Sequence, residues 1–325
     1  MKRGNKMAYG YIHALDKNLN RDHISFYNRY GFKLAGDLYY AKAIDQQTDR
    51  LPALIIGAPY GGTKEQGPCV WANQLAQRGF VVLTFDQVFM GESGGNPRHV
   101  SSPDLFAESF SAAVDYLGVQ VPFVDREKIG VIGICGSGGF SLSAASVDTR
   151  IKAVATASLY DITDIRGMGN LSKKQLDEMK DKLTRQRWVD YANGQPEYKP
   201  FFPDKPYSNE AAIPEMDPVS KVWFRFYATP RGFHQNARGG FTTTSDLSML
   251  QFDALAHVDE ISPRPVLVIY GDIAHSRAYS ERAYKLLQEP KEQYIVKGAD
   301  HIDLYDNEDK ISFDKVEDFF KKNLQ

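Results

Sequence analysis

Of the two cysteines in the chain, Cys69 and Cys135, one sits where a thiol could do chemistry. An apolar run over 129–134 leads into Cys135-Gly136-Ser137-Gly138-Gly139, a strand signal that ends in glycines and continues as a helix. A side chain at such a strand-to-helix corner is presented on a strained turn. Small residues two positions before and after it, here Gly133 and Ser137, let strand and helix approach closely. The chemistry is that of a nucleophile attacking an acyl carbon through a covalent intermediate. A shifted reading makes Ser137 the nucleophile. Strand phase favours Cys135, because the apolar run stops at Ile134 and Ser137 would need the strand to continue through Gly136. Cys69 falls inside an amphipathic helical pattern and reads as a small buried hydrophobe.

The elements that must position this corner are legible as short β-branched runs alternating with helical patterns, the signal of a mainly parallel sheet flanked by helices. Runs over 23–27 and 34–41, joined through Tyr30-Gly31-Phe32, predict an antiparallel pair. Runs over 53–57, 81–86, 129–134, 153–158, 265–270 and 292–296 predict parallel strands, and helices are predicted over 69–77, 106–117, 139–146, 280–287 and 312–322. About 100 residues separate the run ending at Ser158 from the next one, too many for an ordinary connection. They hold a charged helical pattern over 171–191, a Pro- and aromatic-rich stretch over 196–241 and a helix over 246–257. The aromatic density of this stretch, from Trp188 and Tyr191 to Trp223 and Phe233, implies burial. The predicted division is an N-terminal extension, 1–21, a core made of 22–160 and 260–325, and an inserted cap, 161–259.

The corner at Cys135 resembles the nucleophile elbow of α/β-hydrolases, and within them the dienelactone-hydrolase-like branch, whose nucleophile is cysteine. Three further segments agree in order. The stretch from Gly57-Ala58-Pro59-Tyr60 to Gln66 resembles the loop that supplies an oxyanion donor, and Phe85-Asp86 to Gly94-Gly95 resembles the loop after the next strand. Lys297-Gly298-Ala299-Asp300-His301 resembles the loop that carries the catalytic histidine. The resemblance therefore implies an eight-stranded α/β-hydrolase sheet with an inserted, mainly helical cap. It also implies Cys135 as nucleophile, His301 as base, and the N–H groups of Tyr60 and Gly136 as oxyanion hole. The family usually places its acid three residues after the glycine ending the penultimate strand, and that place is Ala274 here. Asp272 is the nearest substitute. Asp161, after the sixth strand, is the alternative, and both also fit ordinary turn residues. His275 follows the same strand end as Asp272 and reads as a pocket-lining or hydrogen-bonded loop residue. The dipole of the helix beginning at Gly136 is expected to lower the Cys135 thiol's pKa.

Composition bounds the rest. With 325 residues, 25% charged and 42% hydrophobic, the chain can bury a large core and is neither collagenous nor largely disordered. Lys+Arg 39 against Asp+Glu 41 and the lack of a basic run speak against nucleic-acid partners. The start is basic but lacks the apolar stretch of a signal peptide or a membrane span, and two unpaired cysteines fit a reducing compartment, so a cytoplasmic address is expected. His13, His23, His99, His234 and His257 lack paired metal spacing, and neither a phosphate-loop nor a dinucleotide glycine pattern is well placed, so neither metal nor cofactor is expected. The expected function is hydrolysis of an ester, lactone or thioester through a Cys-His-Asp triad. Acyl transfer on the same fold and a non-catalytic binding protein are the alternatives. The partner is a small-molecule ester or thioester, and a homodimer is left open.

Overall fold

The computed structural model describes residues 10–325. Among these residues eight strands form: β1 Leu19–Tyr27, β2 Lys33–Ala41, β3 Leu51–Gly57, β4 Val81–Phe85, β5 Val124–Ile134, β6 Ile151–Ala157, β7 Val266–Gly271 and β8 Lys291–Val296. They make one sheet in the order β1-β2-β4-β3-β5-β6-β7-β8. The pairs β1/β2 and β2/β4 are antiparallel and all others parallel, so this is the α/β-hydrolase fold. Strands covered on both faces read as unbroken apolar runs, which is why 129–134 shows no alternation: Ile129 through Ile134 are all buried.

Ten helices accompany the strands among the described residues: α1 Gly67–Gln77, α2 Pro103–Gln120, α3 Gly136–Val147, α4 Ile165–Met168, α5 Lys173–Asn193, α6 Pro218–Tyr227, α7 Ser245–Gln251, α8 Arg277–Leu286, α9 Asp303–Asp306 and α10 Phe313–Asn323. One face of the sheet carries α1, α9 and α10, with Trp71, Leu75, Phe319 and Phe320 in its core. The other carries α2, α3 and α8, with Phe106, Phe110, Leu117 and Leu142. In α10 the apolar residues recur at helical spacing, Phe313, Val316, Phe319 and Phe320, and all four are buried. Each such side chain contributes roughly 1.5–3 kcal/mol relative to exposure.

Between β6 and β7 the described backbone contains helices, turns and two isolated bridges, Tyr198 with Thr242 and Phe201 with Gly239. Ser172 opens α5 with a reciprocal capping box and Gly194 closes it at φ 67°. Two expectations for this stretch need correction. The helix predicted over 246–257 stops at Gln251, because Phe252 is extended, and the chain resumes as a 3-10 turn at Val258–Ile261 packed on α3. Aromatic density also failed as a sign of burial: Trp188 and Tyr191 are 72% and 91% exposed, since α5 buries only Leu183, whereas Phe226 and Tyr227 on α6 are buried.

At the N-terminus, residues 1–9 of the expected extension lie outside the described residues. Beyond them the chain is tied down, with the Tyr11 hydroxyl donating to Asp37 at 2.7 Å and the Ile12 N–H to the Glu65 carbonyl at 3.0 Å. Among the described residues no helix is long and apolar enough to cross a membrane.

Candidate active site

Strand β5 ends at Ile134 and α3 starts at Gly136, leaving Cys135 alone at the corner with φ 56° and ψ −121°. A non-glycine residue in that region stores roughly 1–3 kcal/mol of strain, so the surrounding packing must over-determine it. Gly133 explains part of how: a Cβ there would meet the Ser137 carbonyl oxygen at 2.2 Å, so strand and helix approach this closely only with glycine at the position. Ser137 lies inside α3, buried, with its hydroxyl donating to the Ala58 carbonyl. The serine thus knits helix to strand end and faces away from the cavity over Cys135.

The backbone N–H groups of Tyr60 and Gly136 both point at the Cys135 sulfur. Even so, burial pushes the thiol up to about 11, against the lowering hydrogen bonds from the Tyr305 hydroxyl and these two N–H groups. The expected acidification by the helix dipole is therefore overturned, because desolvation of a thiolate outweighs a partial charge at the helix start. Cys69, fully enclosed, is pushed up by burial to about 12.

His301 is wholly buried beyond β8. Its Nδ1 faces the Ser276 hydroxyl at 2.5 Å and its Nε2 faces the Tyr305 hydroxyl at 2.9 Å. The Trp223 ring stands edge-on to the imidazole at 4.8 Å between centroids, with His275 at 5.0 Å. Burial first, and the neighbouring His275 second, hold the imidazole well below its ordinary pKa. Among the described residues no carboxylate hydrogen-bonds to it. Asp272 instead accepts from the Gly298 N–H at 2.6 Å, bracing the loop between β8 and His301. A carboxylate one residue after Gly271 is too close to the strand end to reach past that loop. Asp161 accepts from the Thr163 hydroxyl and N–H at 2.6 and 3.1 Å and faces Arg282 at 3.5 Å. It holds the turn after β6 and does not turn toward the imidazole. The structure thus brings Cys135, Tyr60 and Gly136 together, sets His301 against Tyr160, Trp223 and Tyr305 of the same cavity, and leaves Asp272 and Asp161 out of it.

Sequence reasoning missed Ser276 and Tyr305. The available signal for Tyr305 was its spacing, four residues after His301 and hence on the same face of a helical turn. It also missed the support under the Tyr60 loop, where the Lys64 ammonium is fully buried between Glu65, Asp86 at 3.2 Å and Glu92 at 2.6 Å. Against desolvation, the charges of Asp86 and Glu65 raise the lysine's pKa, so it stays charged. Burial and the charge of Glu65 raise Asp86, with Lys64 opposing. Asp86 also accepts from the N–H groups of Lys64 and Glu92 at 2.8 and 2.9 Å, locking the two loops together. Oxygens of Glu65, Asp86 and Glu92 lie within 4.8 Å of one another, a spacing that suits a metal, and Lys64 supplies the positive charge among them.

A cavity of about 380 Å³ opens over Cys135. Trp223 and Tyr227 of α6, Phe202, Ile162 and Met249 give it an apolar wall, and Tyr60 stacks on Phe241 at 4.1 Å. A half-exposed ion pair, Lys199 to Asp246 at 2.6 and 2.7 Å, also lines it.

The sequence model of the X-Pro dipeptidyl-peptidase (S15) family matches residues 31–217. The chain is 46% identical to an uncharacterized protein of Pseudomonas aeruginosa, PA2218, over 93% of this chain and 80% of that one. The crystal structure of that protein superposes with a TM-score of 0.91 at 42% identity, covering 99% of both chains. A thiohydrolase of Aspergillus aculeatus, aneE, is 28% identical over 74% of this chain and 72% of its own. A polyketide transferase of a Penicillium species, grgF, is 25% identical over 94% and 98%. The crystal structure of that α/β-hydrolase has a TM-score of 0.76 at 22% identity, covering 94% and 99%. A sheet order, an elbow and a family match that all point one way lead to one conclusion: the chain belongs to the S15 peptidase family of the α/β-hydrolase superfamily, a family of hydrolase-type enzymes.

Proposed function

We propose that this chain is a thioester or activated-ester hydrolase that works through an acyl-cysteine at Cys135. The observation that carries the reading is the convergence of the Tyr60 and Gly136 N–H groups on the Cys135 sulfur at the floor of an apolar cavity. When the sulfur bonds to an acyl carbon, the carbonyl oxygen falls within reach of the same two donors, which take up the charge as it develops. His301 accepts the thiol proton and returns it to the leaving group, and water then resolves the acyl-enzyme.

The leaving group is where the site discriminates. An amine must be protonated before it departs, and a buried imidazolium with a serine at Nδ1 is a poorly stabilised ion. A thiol, with an ordinary pKa of about 8.5, leaves as the thiolate with far less help. This favours thioesters over the peptide bonds named in the family's description, and the similarity to a thiohydrolase supports it. The aromatic wall suits an apolar acyl group, with the segment 161–259 acting as the cap that sets its size. Similarity to a polyketide transferase supports a second outcome, in which an alcohol or amine resolves the same acyl-enzyme.

Intact-mass analysis during turnover of a thioester and ester panel tests the reading. A single acyl adduct is expected, abolished by Cys135→Ala and retained in Ser137→Ala. An adduct lost only in Ser137→Ala, or turnover without any adduct, would refute it. Free acid as the product indicates hydrolysis, and an ester or amide of an added acceptor indicates transfer.

A further inference from the structure

Tyr305 stands between the two groups that must exchange a proton. Its hydroxyl is 2.9 Å from His301 Nε2, its side chain lines the same cavity as Cys135, and the Cys135 thiol and the Tyr227 hydroxyl are the groups that bear on it from that side. Its ring is fully buried, edge-on to Phe226 at 5.1 Å, so the hydroxyl has a fixed position. His301 spends its Nε2 on this hydroxyl, the nitrogen that a base facing the nucleophile would use.

We propose that Tyr305 is a catalytic residue, a relay whose hydroxyl carries the Cys135 proton to His301. The inference rests on the acyl-cysteine reading above. At rest the thiol donates to the Tyr305 oxygen, the Tyr305 hydroxyl donates to an unprotonated Nε2, and Nδ1–H donates to Ser276 Oγ. As sulfur attacks, its S–H bond breaks and the proton joins the tyrosine oxygen, while the original phenolic proton moves to Nε2. The S–H electron pair forms the bond to the acyl carbon, and the carbonyl π pair moves onto the oxygen held by the Tyr60 and Gly136 N–H groups. When that oxygen's pair returns, the bond to the leaving group breaks, and the relay runs backward to deliver the proton to it. Tyr305 is neutral before and after, so no charge ever rests on a phenol whose ionisation burial opposes.

The relay has a signature independent of any substrate. Alkylation in which the sulfur gives up its proton through the relay as it attacks draws on the state with neutral thiol and neutral imidazole, whose population is independent of pH between the two pKa values, whereas alkylation through free thiolate rises with pH. Alkylation of Cys135 by iodoacetamide, followed by peptide mass spectrometry from pH 5.5 to 9.5, is expected to show a flat region around neutrality in the wild-type protein. Tyr305→Phe keeps the ring and its packing. It should replace the plateau with a rate that rises tenfold per pH unit and lies at least tenfold lower at pH 7. His301→Gln should give the same profile, and the double variant should be no slower than either single one. A wild-type profile without a plateau, a plateau retained in Tyr305→Phe, or multiplying losses in the double variant would each overturn the relay. If the plateau behaves as expected while no ester or thioester forms an adduct, the relay stands and the proposed substrate class falls. If adducts form while Tyr305→Phe keeps the plateau, the reverse holds.

Discussion

Replacing Ser276 by Ala tests how His301 is supported. The Ser276 oxygen lies 2.5 Å from Nδ1 and is fully buried, so no bulk water can take its place. A hydrogen bond from a neutral donor contributes about 0.5–1.5 kcal/mol, and one from a charged donor about 1.5–3 kcal/mol. The imidazole is neutral at rest, since burial depresses its pKa, and becomes charged only as the sulfur attacks. The substitution therefore costs the transition state about 1–1.5 kcal/mol more than the ground state, a loss of roughly 5- to 15-fold in the acylation rate. Folding stability should fall by about 1–3 kcal/mol for the orphaned Nδ1–H. Asp272→Asn is the companion variant. An Asn oxygen still accepts from Gly298, so the rate should change by less than about threefold, whereas removing a true triad carboxylate costs on the order of 10⁴. Single-turnover acylation by a thioester gives both rates, and thermal unfolding gives the stability. A loss of a hundredfold or more in Asp272→Asn, or a silent Ser276→Ala, would show that the support for His301 has been misassigned.

Three further outcomes are expected. Because His301 is held well below its ordinary range, the acid limb of kcat/KM should lie below pH 6.5; a limb at or above 6.5 contradicts the buried, carboxylate-free imidazole. The same depression makes the unfolded chain bind the extra proton first. The stability it contributes is complete above about pH 6.5 and is lost on acidification toward the folded-state pKa, at up to about 1.4 kcal/mol per pH unit, and a flatter stability curve in His301→Gln would report it. Lys64→Met strips the cation from three carboxylates and should destabilise by about 3–5 kcal/mol, read as a fall in denaturant midpoint; an unchanged midpoint would mean that the cluster protonates at little cost.

The strands, their direction and the elbow were legible because each rests on a local rule. Unbroken apolar runs mark strands covered on both faces, and Gly133 followed by Cys135 and a helix marks the corner. What could not be read was the partner of His301. Sequence distance from the strand end points to Asp272. The outcome depends instead on where the loop after β7 turns, and that turn presents Ser276 to the imidazole and Asp272 to Gly298. The thiol's pKa departs from the expected direction for a related reason. A helix start is visible in sequence, but the depth at which it is buried is not. The Lys64 cluster joins residues from two loops, so no single window of sequence contains it.

Helix α5 has a consequence for how such a chain can diversify. It begins with its own capping box, ends on its own left-handed glycine, carries pairs such as Lys173 with Asp177 and Arg185 with Asp181 along its surface, and commits one side chain, Leu183, to the interior. Its stability is largely self-contained, so substitutions along it are nearly neutral for the sheet. Drift can therefore accumulate there without disturbing the sheet or the elbow at Cys135, because no side chain of α5 lines the cavity.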